Sequence, residues 1–454
     1  GDDVPLGKIV APNGYAAWAD AVLALFGPGE PGLLALSALP SLAAILAAAW
    51  LAAELGGRES ALAATILVSL TGWPIVHGRW GYTSVALVPL ALAGGAALVR
   101  AARHESALWA AAGGALVGAT AHTYPAAWPL LASLAPALLC AWAGNATGRR
   151  LLKAAGTGLV LSLAFVLPAW LGHPERVGGR AREVWIGAPV KDTGAPSLAG
   201  CAGIPARLLY NAYQYAALLA GNPDPNPRHY LPGRAPLPVL LGALAIVGAA
   251  ALSRSPASSR WIVGGLAAGG LLAGVAASPA AVPNTQRAAI FLMVAIVLSG
   301  RAIAALPRSR TGVLVAAGFV ATVLVATEVR VLLGPWAKDA RVETAFLPVE
   351  RDAGRVLSRL ATAPIVIVRG AVAFPLAVET LASADLGRPI RSARRLSVED
   401  LVEGRLGTGS AFWIVARRED LGRIDPRRLR VARGVAPSAF APDVLVARGV
   451  LALP

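Results

Sequence analysis

Two arginines stand where no other cation falls on their side of the chain's short loops. Arg79 lies in the turn His77-Gly78-Arg79-Trp80-Gly81-Tyr82, and Arg287 closes Pro283-Asn284-Thr285-Gln286-Arg287. A guanidinium presents a planar fork of donors that fits a phosphate group. Arg287 also opens an apolar run, where a helix start favours an anion. The two could grip one phosphate together. A third polar stretch, Asn222-Pro223-Asp224-Pro225-Asn226-Pro227-Arg228-His229-Tyr230-Leu231-Pro232-Gly233, is dense in Pro and Gly, which marks an ordered loop rather than a helix. Arg228 and His229 are its candidates for contact with the same anion. A fourth, His122-Thr123-Tyr124-Pro125, reads as a tight turn. With His77 and Tyr82, His122 and Tyr124 are candidate pocket residues. Asp2 and Asp3 are the acids placed to take a proton from a reacting hydroxyl. Each group has a plainer reading beside the chemical one. Arg79 and Arg287 can snorkel to a membrane interface, Arg228 and His229 can face water from a rigid turn, His122 can be a hydrogen-bonded structural residue, and Asp2 and Asp3 can be a solvated pair.

The elements that must position these residues are apolar. Mean hydropathy is +0.61, 56% of residues are hydrophobic, and only 15% are charged, against about a quarter in an ordinary soluble domain. Apolar runs recur over 32–55, 60–76, 83–99, 106–122, 124–143, 151–171, 236–252, 261–278, 287–306 and 311–333. Each approaches the ~20 residues that cross a bilayer core. One set of short loops holds Arg58, Arg100, Arg103, Arg149, Arg150, Lys153, Arg254, Arg260, Arg301, Arg308 and Arg310, whereas the other holds only Arg79 and Arg287. Positive charge marks the inner side of membrane proteins. The four polar stretches and the loop 172–235 therefore belong outside.

The reading is an all-α polytopic membrane bundle of about ten transmembrane helices over 1–335, followed by a small extracytoplasmic α/β domain over 336–454. Pro12–Phe26 is expected as a short helix on the membrane surface. Trp185, Tyr210, Tyr213 and Tyr215 suit an interfacial aromatic belt. In the tail, Ile365–Arg369, Phe412–Ala416, Leu429–Ala432 and Val444–Ala447 read as strands, with helices around 349–360 and 372–384. The tail holds 19 Lys and Arg against 13 Asp and Glu, so it supplies +6 of the net +16. The rest lies mostly in inward loops, where anionic lipid explains it, and no nucleic-acid partner is indicated. Two cysteines, Cys140 and Cys201, make neither a disulfide framework nor a metal spacing. No span holds an acid or lysine near its middle, which argues against an ion-coupled transporter.

The order of these motifs resembles the C-type (GT-C) integral-membrane glycosyltransferases, of the bacterial protein O-mannosyltransferase and aminoarabinose-transferase kind. The carrying residues are Pro12–Gly27, the His77–Tyr82 turn, Arg228-His229-Tyr230-Leu231-Pro232-Gly233, Pro283–Arg287, and the small outward tail. The resemblance implies a hexosyl- or pentosyltransferase in the inner (plasma) membrane. It would move a sugar from a polyprenyl-phosphate donor to the hydroxyl of a lipid, glycan or protein acceptor on the extracytoplasmic face. It further implies cationic side chains on the donor phosphate, which here map onto Arg79, Arg287, Arg228 and His229. It implies an Asp-Glu pair after a first span as general base. That pair is expected upstream of Gly1, with Asp3 and Asp2 as stand-ins. No organic cofactor is called for, and a divalent metal is compatible with such an acidic pair. Rival readings are a flippase or transporter for a lipid-linked solute, and a membrane scaffold. Convergence of the four polar stretches on one place separates the first reading from the last.

Overall fold

The computed structural model describes residues 13–27, 30–78, 83–165, 186, 203–227, 229–231, 233–277, 282–306, 309–339 and 342, and in the tail 365–368, 394–396, 411–417, 419, 429–431 and 444–451. The chain divides into a helical unit within 1–337 and a sheet unit within 338–454, to which 22–33 are assigned.

The helices are α1 (Asn13–Phe26), α2 (Glu30–Leu70), α3 (Gly72–His77), α4 (Thr83–His104), α5 (Ala107–Ala119), α6 (Ala127–Trp142) and α7 (Ala146–Ala164). They continue as α8 (Ile204–Ala216), α9 (Val239–Leu252), α10 (Ala257–Val275), α11 (Ala289–Ala305) and α12 (Arg310–Leu324). Among the described residues, Leu34–Leu70, Ser84–His104 and Arg310–Trp336 are long and apolar enough to cross a membrane. Ala17–Phe26, Ala127–Trp142, Val239–Leu252 and Ala289–Ala305 are shorter apolar helices.

The expected spans 32–55 and 60–76 fall on α2, which breaks at Gly57, where φ is 80° and ψ is −167°. A positive φ is open to glycine at little cost. The break reverses the chain. A Cβ on Gly78 would touch Ser41, so these two residues are neighbours. In one straight helix they would stand about 55 Å apart at 1.5 Å per residue.

Helix α11 is buried on every side, as an apolar helix without a polar face must be. It packs against α4, α9 and α10, while α5 lies along α7 and α6 along α10. Small residues permit these approaches: a Cβ on Gly114 would strike the Ala155 carbonyl, and one on Gly158 the Ala111 carbonyl. Leu46, Val160, Phe165, Val315, Phe319 and Leu333 project outward. At the arginine-rich end, buried Glu54 takes Arg100 at 2.8 Å and Arg103 at 3.2 Å, and Arg100 lies 5.0 Å above the Trp109 ring. Helix α12 continues in π-helical turns over Val325–Val329 and Leu332–Trp336.

In the sheet unit, β1 (Ile365–Val368), β2 (Arg394–Leu396), β3 (Ala411–Arg417), β4 (Leu429–Val431) and β5 (Val444–Leu451) stand in the order β2-β1-β3-β5-β4. β1 pairs in parallel with β2 and β3, and β5 is antiparallel to β3 and β4. The helices expected around 349–360 and 372–384 lie outside the described residues.

Candidate functional site

Opposite the arginine-rich end, α2 stops at Leu70, and Thr71 returns its hydroxyl to the Leu67 carbonyl at 2.6 Å. The short helix α3 then delivers His77. Its ring stacks on Trp73 at 5.0 Å and 22°, and its Nε2 stands 3.4 Å from the Ser84 hydroxyl. Burial pushes His77 down to about 3; the nearby His229 adds to this and Ser84 opposes it. His77 is therefore neutral at ordinary pH. It can exchange hydrogen bonds with a ligand and cannot serve as a cation there.

The proline-rich loop supplies Asp224, 1% exposed, as the centre of a network. Its Oδ2 meets His229 Nδ1 at 2.7 Å, the Thr285 amide at 2.8 Å and the Thr285 hydroxyl at 2.8 Å. Its Oδ1 accepts the Asn226 amide at 2.8 Å, closing a turn of Asx type. The 222–231 loop and the loop that opens α11 are thus tied by one carboxylate. Next to them, the Tyr215 hydroxyl accepts the Asn284 amide at 3.0 Å, and Asn284 Oδ1 accepts the Arg287 amide at 3.2 Å. Burial raises the Tyr215 hydroxyl well above its ordinary value. Arg287 and the Asn284 amide pull it back, and Asp224 and Tyr124 push it further up. Those influences also locate the groups: Tyr124, Tyr215, Asp224 and Arg287 share one neighbourhood. Arg287 Nη1 is buried and has no hydrogen-bond partner among the described residues. A buried donor left so is costly unless something occupies it.

Behind this network, Glu328 rises from the π-helical turn of the last long helix, 2% exposed. Its carboxylate takes the Tyr230 hydroxyl, Arg234 at 2.9 Å and the Gly72 amide at 3.3 Å. It therefore joins the start of α3 to the loop that carries His229. Burial, followed by the Glu328 charge, drives the Tyr230 hydroxyl upward, with Arg234 opposing.

Beside His77 lies an apolar cavity of about 320 Å³ between α2, α3, α4 and α11. Ser41, Ser69 and His77 are its polar edges, while Leu42, Ile45, Val68, Trp73, Val85 and Met293 furnish apolar wall.

The structure brings together members of all four polar stretches: His77, Tyr124, His229 and the Thr285–Arg287 turn. His122 turns away, with Nε2 2.9 Å from the Ser162 carbonyl, pinning its turn to α7. Arg79, Tyr82, Arg228, Asp2 and Asp3 lie outside the described residues. The sequence reading missed Asp224, Thr285 and Glu328 as partners. A signal for Asp224 exists, since it is the sole acid between Asp192 and Glu328. Tyr215 was read as part of an interfacial belt and is instead fully buried. Among the described residues, no group of three or more His, Cys, Asp and Glu stands together to hold a metal.

The fold is the GT-C fold, with helices long and apolar enough to cross a membrane. The structure of ArnT from Cupriavidus metallidurans bound to undecaprenyl phosphate matches it with a TM-score of 0.64 at 13% identity, over 98% of this chain and 89% of that one. The apo state of the same protein matches with a TM-score of 0.60, again at 13% identity, over 98% and 89% of the two chains. No protein-family model and no curated protein sequence matches the chain.

Proposed function

We propose that the chain is a membrane glycosyltransferase that takes a sugar from a polyprenyl-phosphate donor. The sugar passes to an acceptor hydroxyl on the extracytoplasmic face of a bacterial inner membrane, the side on which the tail would also lie. The carrying observation is the convergence of His77, Asp224–His229, Tyr215 and Arg287 beside an apolar cavity. A fold shared with an undecaprenyl-phosphate-bound protein supports it. The cavity beside His77 suits the first isoprene units. Arg287 Nη1, without a partner among the described residues, suits the phosphate together with His229, with Arg79 and Arg228 as further candidates from the sequence.

In the reaction the bond from the sugar's anomeric carbon to the phosphate oxygen breaks, and the electron pair leaves with the polyprenyl phosphate. The acceptor oxygen bonds to the same carbon, and its proton passes to a carboxylate, for which the sequence offers Asp3 and Asp2. Negative charge grows on the phosphate, and preorganised donors in a dry site stabilise such growth most.

The test uses purified protein in bilayer discs given radiolabelled undecaprenyl-phosphate sugar, with release of undecaprenyl phosphate as readout. Arg287→Ala is expected to lower turnover by roughly 100- to 1,000-fold, the usual cost of one charge-stabilising donor. Wild-type protein that retains undecaprenyl phosphate no better than ordinary phospholipid overturns the assignment. Labelled lipid that crosses a vesicle bilayer with its sugar bond intact favours the flippase reading instead.

A further inference from the structure

We propose that Asp224 is the positioning residue of this site, orienting His229 and the turn that carries Arg287 through a single carboxylate. The proposal rests on the reading of the site given above. A backbone cap would need one amide. Asp224 instead gathers three donors on Oδ2, one from His229 in its own loop and two from Thr285, 61 residues further along the chain. The Thr285 amide can only donate, so the oxygen facing it accepts. The same oxygen then accepts from His229, which places an imidazole proton on Nδ1 and turns Nε2 away from the carboxylate. The other neighbour of Nε2, Asn226 Nδ2 at 3.5 Å, is too distant for a strong bond. Nε2 is thus kept as the working atom of the ring.

The second half of the argument runs through Thr285. With its amide and hydroxyl both fixed at 2.8 Å, the turn cannot rotate about that residue. Two residues on, Arg287 leaves the turn with its own amide bonded to Asn284. Asn284 is held in turn by the Tyr215 hydroxyl. Two bonds to Thr285 and one to His229 therefore set the separation of an imidazole and a guanidinium belonging to different loops. Reacting groups shifted by about 1 Å lose roughly a hundredfold in rate, so this separation is a quantity the fold has reason to fix.

The first arm of the test needs no substitution in the network. With the histidines 15N-labelled and the His229 signals assigned by their loss in His229→Gln, the ring is expected protonated at Nδ1. A ring protonated at Nε2 alone overturns the proposal. The second arm counts undecaprenyl-phosphate-sugar turnover per molecule that retains undecaprenyl phosphate, which removes unfolded protein from the comparison. Asp224→Asn is expected to fall roughly tenfold or more on that scale, because its amide must meet a donor on one side or the other. Turnover equal to wild type per binding-competent molecule makes Asp224 a structural cap and overturns the proposal. Should Asp224→Asn not fold, Thr285→Val decides, since it removes one donor and leaves His229 bonded: a loss of roughly threefold supports positioning, and no loss overturns it. If wild-type protein retains no undecaprenyl phosphate, the donor reading falls, and the tautomer alone decides whether Asp224 orients His229.

Discussion

Tyr230→Phe removes one hydroxyl and no volume, and the structure allows its cost to be worked through. The lost bond ends on a carboxylate that is 2% exposed. A hydrogen bond to a charged group contributes about 1.5–3 kcal/mol. Glu328 keeps Arg234 at 2.9 Å and a weaker contact from the Gly72 amide at 3.3 Å, so the charge is not abandoned and the lower half of that range applies. Glu328→Gln keeps the shape but presents Arg234 with an amide. The Arg234 side chain is 32% exposed, so water makes up much of that loss and about 1 kcal/mol remains. The two changes share one bond, and the double variant should therefore cost less than the two singles together, by roughly 1 kcal/mol. Thermal midpoints in detergent rank the four proteins, and reversible unfolding in mixed micelles supplies the energies. Strictly additive singles, or a Tyr230→Phe protein as stable as wild type, would refute the idea that Glu328 clamps this loop.

Gly72→Ala should destabilise at least as much as Tyr230→Phe by the same midpoint, because the new Cβ would collide with the Tyr230 hydroxyl and stand 2.7 Å from Glu328 Oε2. Its control is Gly264→Ala in α10, where nothing lies within 4 Å, and helix propensity there predicts a gain of up to about 1 kcal/mol. His77 predicts a pH effect of definite sign. Its folded value is depressed to about 3 against an ordinary 6.5, so between those limits the unfolded chain binds a proton the folded one refuses. Stability should then fall as pH drops below 6.5, by about 1.4 kcal/mol per unit. The midpoints of His77→Gln should lack that component, and equal pH slopes for variant and wild type would contradict a neutral buried ring.

Much of the helical frame was legible because a bilayer demands apolar runs of fixed length and sorts the arginines to one side. The reversal at Gly57 falls in the Gly56–Glu59 gap between two such runs. The sequence placed His77, Tyr124, His229 and Arg287 at the ends of apolar runs, which allowed them to meet but did not require it. Their wiring was not legible. Asp224 and Thr285 are 61 residues apart, and no local periodicity reports a pairing of that range. The fate of Tyr215 could have been read from helix geometry. At 100° per residue, Tyr213 and Tyr215 point to nearly opposite sides, and Tyr213 is the one left 68% exposed. In the tail, the Ile- and Val-rich strands announced themselves, but Arg394-Arg395-Leu396 did not. It forms an edge of the sheet, where charge is tolerated and guards against further pairing.

Arg301 bears on how such a chain is made. From α11 its guanidinium reaches the Leu55 carbonyl beside the Gly57 reversal, and also the Ala251 carbonyl at 3.1 Å and the Ser255 hydroxyl at 2.9 Å near the end of α9. Carbonyls at helix ends have no partner in their own helix. The one at Leu55 waits 246 residues for Arg301 to be synthesised. Until then the hairpin of α2 carries an open acceptor that water or another donor must serve. A nascent chain stopped short of Arg301 carries that acceptor uncovered, a chemical mark by which an unfinished copy differs from a completed one.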